Sequence, residues 1–95
     1  MLGWTLIRIV GDSMRPLVNP GAFAVFRRTS TYANGDVVLV DHPRFGTIIK
    51  RAIDVTPEQL WLEGANSDSL SRETMGPVER HCVRGKLVYQ IKRRA

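Results

Sequence analysis

A chain of 95 residues is the size of one small domain, and at that length only about 60–65% of the unfolded surface is buried, so the core is modest. Hydrophobic residues make up 43%, too many for a disordered segment. Fourteen Lys and Arg against nine Asp and Glu leave a net charge of +5, but no helix with a basic face, zinc-finger pattern or RNA-binding signature accompanies it. The charge therefore reads as solvated surface, and no nucleic-acid partner is expected.

Cys82 is the only cysteine, which excludes an internal disulfide and multi-cysteine metal sites. It reads as a buried strand residue; next to it, His81 would point to the opposite face of a strand. No metal or cofactor is expected. The longest apolar stretches are four to five residues, far below the roughly 20 of a membrane span. The N-terminus is too short and too mixed for a signal peptide. These features suit a soluble cytoplasmic protein, with membrane association left to an anchor outside this chain.

Residues 5–10 alternate and are rich in β-branched side chains, which predicts a strand. Gly11-Asp12-Ser13-Met14-Arg15-Pro16 follows as a turn that opens into a helical turn before Pro20-Gly21. A second strand is expected over 22–27, and Asn34-Gly35 marks a turn. Residues 36–41 contain Val37-Val38-Leu39-Val40, an apolar run suited to a strand buried on both faces. His42-Pro43 begins what reads as an exposed turn reaching Gly46. Strands are expected over 47–55, 60–63 and 83–91, with 67–75 as loop. Turns every eight to twelve residues, and no long stretch of helical period, argue a mainly β sandwich or partly open barrel. No repeat or linker divides the chain, so residues 1–95 read as a single domain.

Two features of this pattern bear on chemistry. The turn after the first strand holds Ser13 between Gly11, which permits a positive-φ turn, and Pro16, which stiffens the exit. Alone, such a serine usually bonds to its own backbone. Lys50 is flanked by Ile48-Ile49 and Ala52-Ile53. With a period of two, Ile48, Lys50 and Ala52 share one strand face and Ile49, Arg51 and Ile53 the other. A lysine held against apolar surface loses hydration and its pKa falls, so it can take a proton from a hydroxyl; Arg51 cannot. A Ser-His-Asp triad would need His42 or His81, and neither has a suitably placed acid in sequence.

These residues also carry a resemblance. Gly11-Asp12-Ser13-Met14-Arg15-Pro16 resembles the Ser-Met box of signal peptidase I and the LexA-type self-cleaving repressors. Asn34-Gly35-Asp36-Val37-Val38 is similar to their Gly-Asp strand start, and Ile49-Lys50-Arg51-Ala52 to their lysine box. Glu63-Gly64-Ala65-Asn66 with the segment 69–78 resembles the signal-peptidase stretch that ends in Ser-x-Asp-Ser-Arg-x-x-Gly-x-Val, and Val83-Arg84-Gly85-Lys86-Leu87 the closing strand. Short soluble peptidases that mature nickel superoxide dismutase look most similar.

The resemblance implies a coiled partial β-barrel of the signal peptidase/LexA catalytic-domain type. It implies a serine endopeptidase with Ser13 as nucleophile, Lys50 as base and Ser69 as a hydroxyl that orients the lysine. Ile9, Met14, Val18, Ile48 and Ile49 would line the pockets for a peptide or protein bound as an extended strand and cut in trans after small residues. The Ser13 N–H would serve the oxyanion; Gly11 stands where some members carry a second, hydroxyl donor. The chain departs from the family at Leu17, Ala22 and Ala65, and in the Ser-x-Asp-Ser-Arg stretch, where the acid partner of Arg72 is lost or moved. Two other readings compete: a non-catalytic binding module on this fold, and the catalytic domain of a self-cleaving repressor. The twelve residues before Ser13 are few for a cleavable arm.

Overall fold

The computed structural model describes residues 3–11, 14–15, 17–65 and 71–91. Seven strands follow in chain order: β1 (Trp4–Arg8), β2 (Phe23–Arg27), β3 (Val37–His42), β4 (Gly46–Ile53), β5 (Gln59–Glu63), β6 (Val78–Glu79) and β7 (Val83–Ile91). A short helix, α1 (Arg72–Met75), precedes β6, and a 3-10 turn (Arg80–Cys82) precedes β7. The spatial order is β1-β2-β7-β3-β4-β5-β6, with every pair antiparallel. The protein is mainly β, as the strand spacing predicts.

β7 enters between β2 and β3 and joins two meanders into one sheet. Its register slips against both neighbours, between Val25 and Phe26 of β2 and between Leu39 and Val40 of β3. Bulges of this kind sharpen local twist and curl a sheet toward a barrel. Gly85 sits in the bend: a Cβ there would lie 2.9 Å from the Arg27 backbone, so only glycine lets β2 pass this close.

Curling produces two apolar clusters, one on each side of β3. Val38 and Val40 face a cluster with Ala52, Leu60, Leu62, Met75 and Val78. Leu39 points the other way, to Ile9, Met14, Val18, Ala22, Ala24 and Phe26. The unbroken apolar run of β3 is thus explained by burial on both faces.

Three local expectations are corrected. Residues 72–75 form a helix rather than loop, because Ser71 caps it: its Oγ accepts the Thr74 N–H at 3.2 Å. Cys82 is half-buried in the 3-10 turn, packed against the first cluster, and is not a buried strand residue. His42 is buried rather than part of an exposed turn, for reasons that belong to the site.

Candidate active site

Two adjacent cations on β4 meet opposite surroundings. Arg51 lies across from Glu63 of β5, and its Nε and Nη2 reach Glu63 Oε2 at 3.1 and 3.0 Å. Lys50 turns to the other face, opposite Val38 in β3, and only 6% of it is exposed. Among the described residues no carboxylate pairs with it. Burial alone pushes its ammonium below the ordinary value of 10.5. The apolar flanks of Lys50 in the sequence thus correspond to real burial.

Lys50 opens into a cleft of about 410 Å3. One wall is the end of β1 and the loop after it, with Ile9, Met14 and Val18; the other is β4, with Ile48 and Ile49. All five residues expected to form pockets therefore surround the same space as Lys50. Ile9, Met14 and Val18 are also buried members of the second cluster, so this wall is part of the core. Gly11, at φ +87°, and Met14 line the cleft as well. Ser13 and Ser69 lie outside the described residues.

Both walls are strand edges. β1 ends the strand order, so among the described residues no strand covers its outer side. β4 pairs with β5 only over Arg51–Ile53, which leaves the same side of residues 46–50 without a strand partner among the described residues. An extended peptide could pair with such edges through its main chain while its alternate side chains enter the cleft.

The far end of the cleft is closed by Phe45 and Met75, which sequence patterning did not point to. His42 holds both. Its Nδ1 accepts the Arg44 N–H at 3.0 Å and the Phe45 N–H at 3.3 Å, so the proton sits on Nε2, which donates to the Met75 carbonyl at 2.9 Å. The ring also lies 4.8 Å from that of Phe45. Both nitrogens of His42 are thus committed to main chain, while His81 is exposed beside Glu79. Neither histidine is built to activate a serine.

Arg72 finds an acid partner outside its own stretch. Its Nη2 lies 2.6 Å from Asp54 Oδ2, and its guanidinium stacks 4.6 Å above the Trp61 ring. Asp54 follows the end of β4 with φ +49°, a left-handed conformation that aspartate tolerates better than most residues. The ion pair ties α1, and with it Met75, to the β4–β5 turn. On the other side, Gln90 of β7 grips the loop after β1: Oε1 accepts the Asn19 N–H and Nε2 donates to the Leu17 carbonyl, each at 3.2 Å. One i→i+4 bond, Val18 N–H to the Met14 carbonyl at 2.9 Å, makes the helical turn expected there.

A buried lysine with a lowered pKa can act as a base at the wall of a peptide-sized apolar cleft. No curated protein matches the chain. The sequence model of the family described as Peptidase S24-like matches residues 3–88, which include both walls of the cleft, Lys50 and β7 up to Val88. The chain therefore belongs to the Peptidase S24-like family, within the LexA/signal peptidase-like superfamily, and its curled sheet is that fold.

Proposed function

We propose that the protein is a serine endopeptidase in which Lys50 takes the proton of Ser13 and Ser13 attacks the scissile carbonyl, forming an acyl-enzyme that water then hydrolyses. The observation that carries this reading is the burial of Lys50, without a carboxylate partner among the described residues, in the wall of the apolar cleft. Desolvation favours its neutral form, the form a general base needs. Gly11 and Met14, the described residues on either side of the Ser13 position, line the same cleft, which supports Ser13 as its partner. Ser69 is proposed, from family resemblance, as the hydroxyl that orients Lys50, and the Ser13 N–H as an oxyanion donor.

The substrate is proposed to lie between the β1 edge and the Gly46–Lys50 edge of β4, cut in trans. Ile9, Met14, Val18, Ile48 and Ile49 offer no charge to pair with, and an unpaired charge buried there would cost several kcal/mol. The residue before the scissile bond, and the one two before it, should be small and uncharged, alanine above all. Leader peptides and propeptides, such as those cut by the maturation peptidases that the chain resembles, carry such segments. The Arg72–Asp54 pair favours catalysis over a decayed binding module, because the support of α1 is rerouted rather than lost.

The test is cleavage of a peptide library varied at those two positions, with Ser13→Ala and Lys50→Ala assayed beside the parent and checked by circular dichroism. Both variants should stay folded and lose cleavage. Full activity in folded Ser13→Ala would end the proposal. A preference for Arg, Lys, Asp or Glu before the scissile bond would overturn the pocket assignment alone.

A further inference from the structure

Phe45 and Met75, at the far end of the cleft, come from different elements: the turn between β3 and β4, and the end of α1. One side chain joins them. His42, only 5% exposed, ends β3; its Nδ1 accepts the Arg44 and Phe45 N–H groups while its Nε2 donates to the Met75 carbonyl. That carbonyl lies in the last turn of α1, where a helix has no N–H of its own to offer. Arg44 adds a second link: its Nη1 donates to the Thr74 carbonyl at 3.4 Å, and its guanidinium lies 5.1 Å from the Phe45 ring. Half-buried, Phe45 packs with Ile48 against the first cluster, of which Met75 is a buried member. The imidazole thereby fixes how far the Phe45 turn stands from α1, and with it the shape of this end of the cleft.

Its place along the cleft decides what it meets. Phe45 precedes Lys50 by five residues, and at about 3.3 Å per residue it stands roughly 15 Å from the base along the chain direction. The residues just before the scissile bond lie, in the proposed function, against Ile48 and Ile49. Followed away from the bond, the peptide therefore runs from Lys50 toward Gly46, and roughly its fourth or fifth residue arrives at Phe45 and Met75. Phe45, Ile48 and Met75 present aromatic, branched and thioether surface there, and Thr47 beside them is uncharged. A methionine adapts to its neighbour's shape and favours aromatic contacts.

We propose that His42 is a positioning residue that holds Phe45 and Met75 as the walls of a distal subsite, and that this subsite takes a large apolar side chain of the substrate. Specificity then has two parts, small residues at the bond and a bulky apolar one about four or five residues before it. The direction of the bound peptide rests on the peptidase reading proposed for this cleft.

Two peptides test the subsite. Both carry Ala at the two positions before the scissile bond; one has Phe at the fourth and fifth positions before it, the other Ser. KM of the parent should be about tenfold lower for the Phe peptide, the worth of one well-buried apolar side chain, with kcat nearly equal. Two substitutions then divide the imidazole. His42→Asn keeps an acceptor near the Arg44 and Phe45 N–H groups but cannot reach the Met75 carbonyl; His42→Gln reaches that carbonyl with its amide N–H but withdraws the acceptor. Each should raise KM for the Phe peptide about threefold or more and leave the Ser peptide unchanged, whereas a merely structural histidine would shift both peptides alike. One measurement needs neither a His42 variant nor cleavage. The chain has three methionines, Met1, Met14 and Met75, so their 13C-methyl NMR signals can be followed in Ser13→Ala as each peptide is added. Met14 should respond to both peptides and Met75 to the Phe peptide alone. That response without any cleavage by the parent would remove the peptidase reading and still support the subsite. Cleavage with equal KM for the two peptides, a silent Met75, or equal losses on both peptides in folded His42 variants would each overturn the proposal.

Discussion

The two apolar clusters on either side of β3 are built differently. The first is built mostly from regular structure: Val38, Val40, Ala52, Leu60, Leu62, Val78 and Val83 come from strands and Met75 from α1, and among the described buried members Tyr32 alone comes from a loop. The second takes Ile9, Met14, Val18 and Ala22 from the residues between β1 and β2, and only Ala24, Phe26 and Leu39 from strands. It is closed on one side by that loop and opens on the other into the cleft. The second supplies a wall that a ligand can complete. The cleft lies between them, with Met75 and Phe45 from the one side and Ile9, Met14 and Val18 from the other.

The largest effect should come from emptying the first cluster. Leu62 is fully buried, and Leu62→Ala should cost about 2–5 kcal/mol, a large share of the stability of so small a domain. Thermal or urea unfolding would show it. Val18→Ala, in the loop-built cluster, should lose clearly less stability than Val40→Ala, the same truncation of an equally buried valine in the first cluster. Equal losses at the two valines would contradict the contrast.

Next is the bend that separates the clusters. Gly85→Ala forces a Cβ to within 2.9 Å of the Arg27 backbone, and overpacking of this kind costs about 1–3 kcal/mol. Because the neighbour is main chain, β2 must shift as a whole. Backbone amide shifts in NMR spectra should therefore move on β2 and β7 and stay fixed on β5.

Gln90→Leu should be milder, about 1 kcal/mol, since it removes two neutral hydrogen bonds while leaving the strand intact. Its mark should be local. Amide exchange at Asn19 and Val18 should accelerate, and KM for a peptide substrate should rise more than kcat falls. Unchanged exchange in that loop would mean Gln90 does not hold it.

Lys50 gives the smallest stability effect and the one with a defined sign. Its folded pKa lies below the unfolded value near 10.5, so the unfolded chain binds the extra proton first. As pH falls from 10.5 toward the folded pKa the fold is progressively penalised, and below it the penalty is constant. Lys50→Met removes that penalty. Its melting temperature should exceed the parent's near neutral pH, and the gap should close above pH 10.5. A lower melting temperature for Lys50→Met at pH 7 would contradict burial of a desolvated ammonium.

Much of this arrangement is legible from residue order, because strands announce themselves by period. The alternation of 47–55 separates Lys50 from Arg51, and the apolar run of β3 declares burial on both faces. Features that rest on distant pairs are not legible in that way. β7 enters between β2 and β3 only once the bulges at Val25/Phe26 and Leu39/Val40 let it curl. His42 looks exposed beside Pro43, yet burial follows from the Met75 carbonyl 33 residues away. Arg72 pairs with neither of the acids near it in sequence among the described residues but with Asp54, 18 residues away and just past the end of β4. The capping serine of α1 was the one local signal available in 67–75, and a helix of four residues is too short for periodicity to reveal.

The state of Lys50 tests the account most directly. The chain has three lysines, Lys50, Lys86 and Lys92, so 13C NMR of the side-chain ε-carbons can follow each through a pH titration. The account predicts one resonance that titrates clearly below 10.5, that vanishes in Lys50→Met, and whose midpoint matches the pH at which cleavage rises. Three lysines titrating together near 10.5 would contradict it.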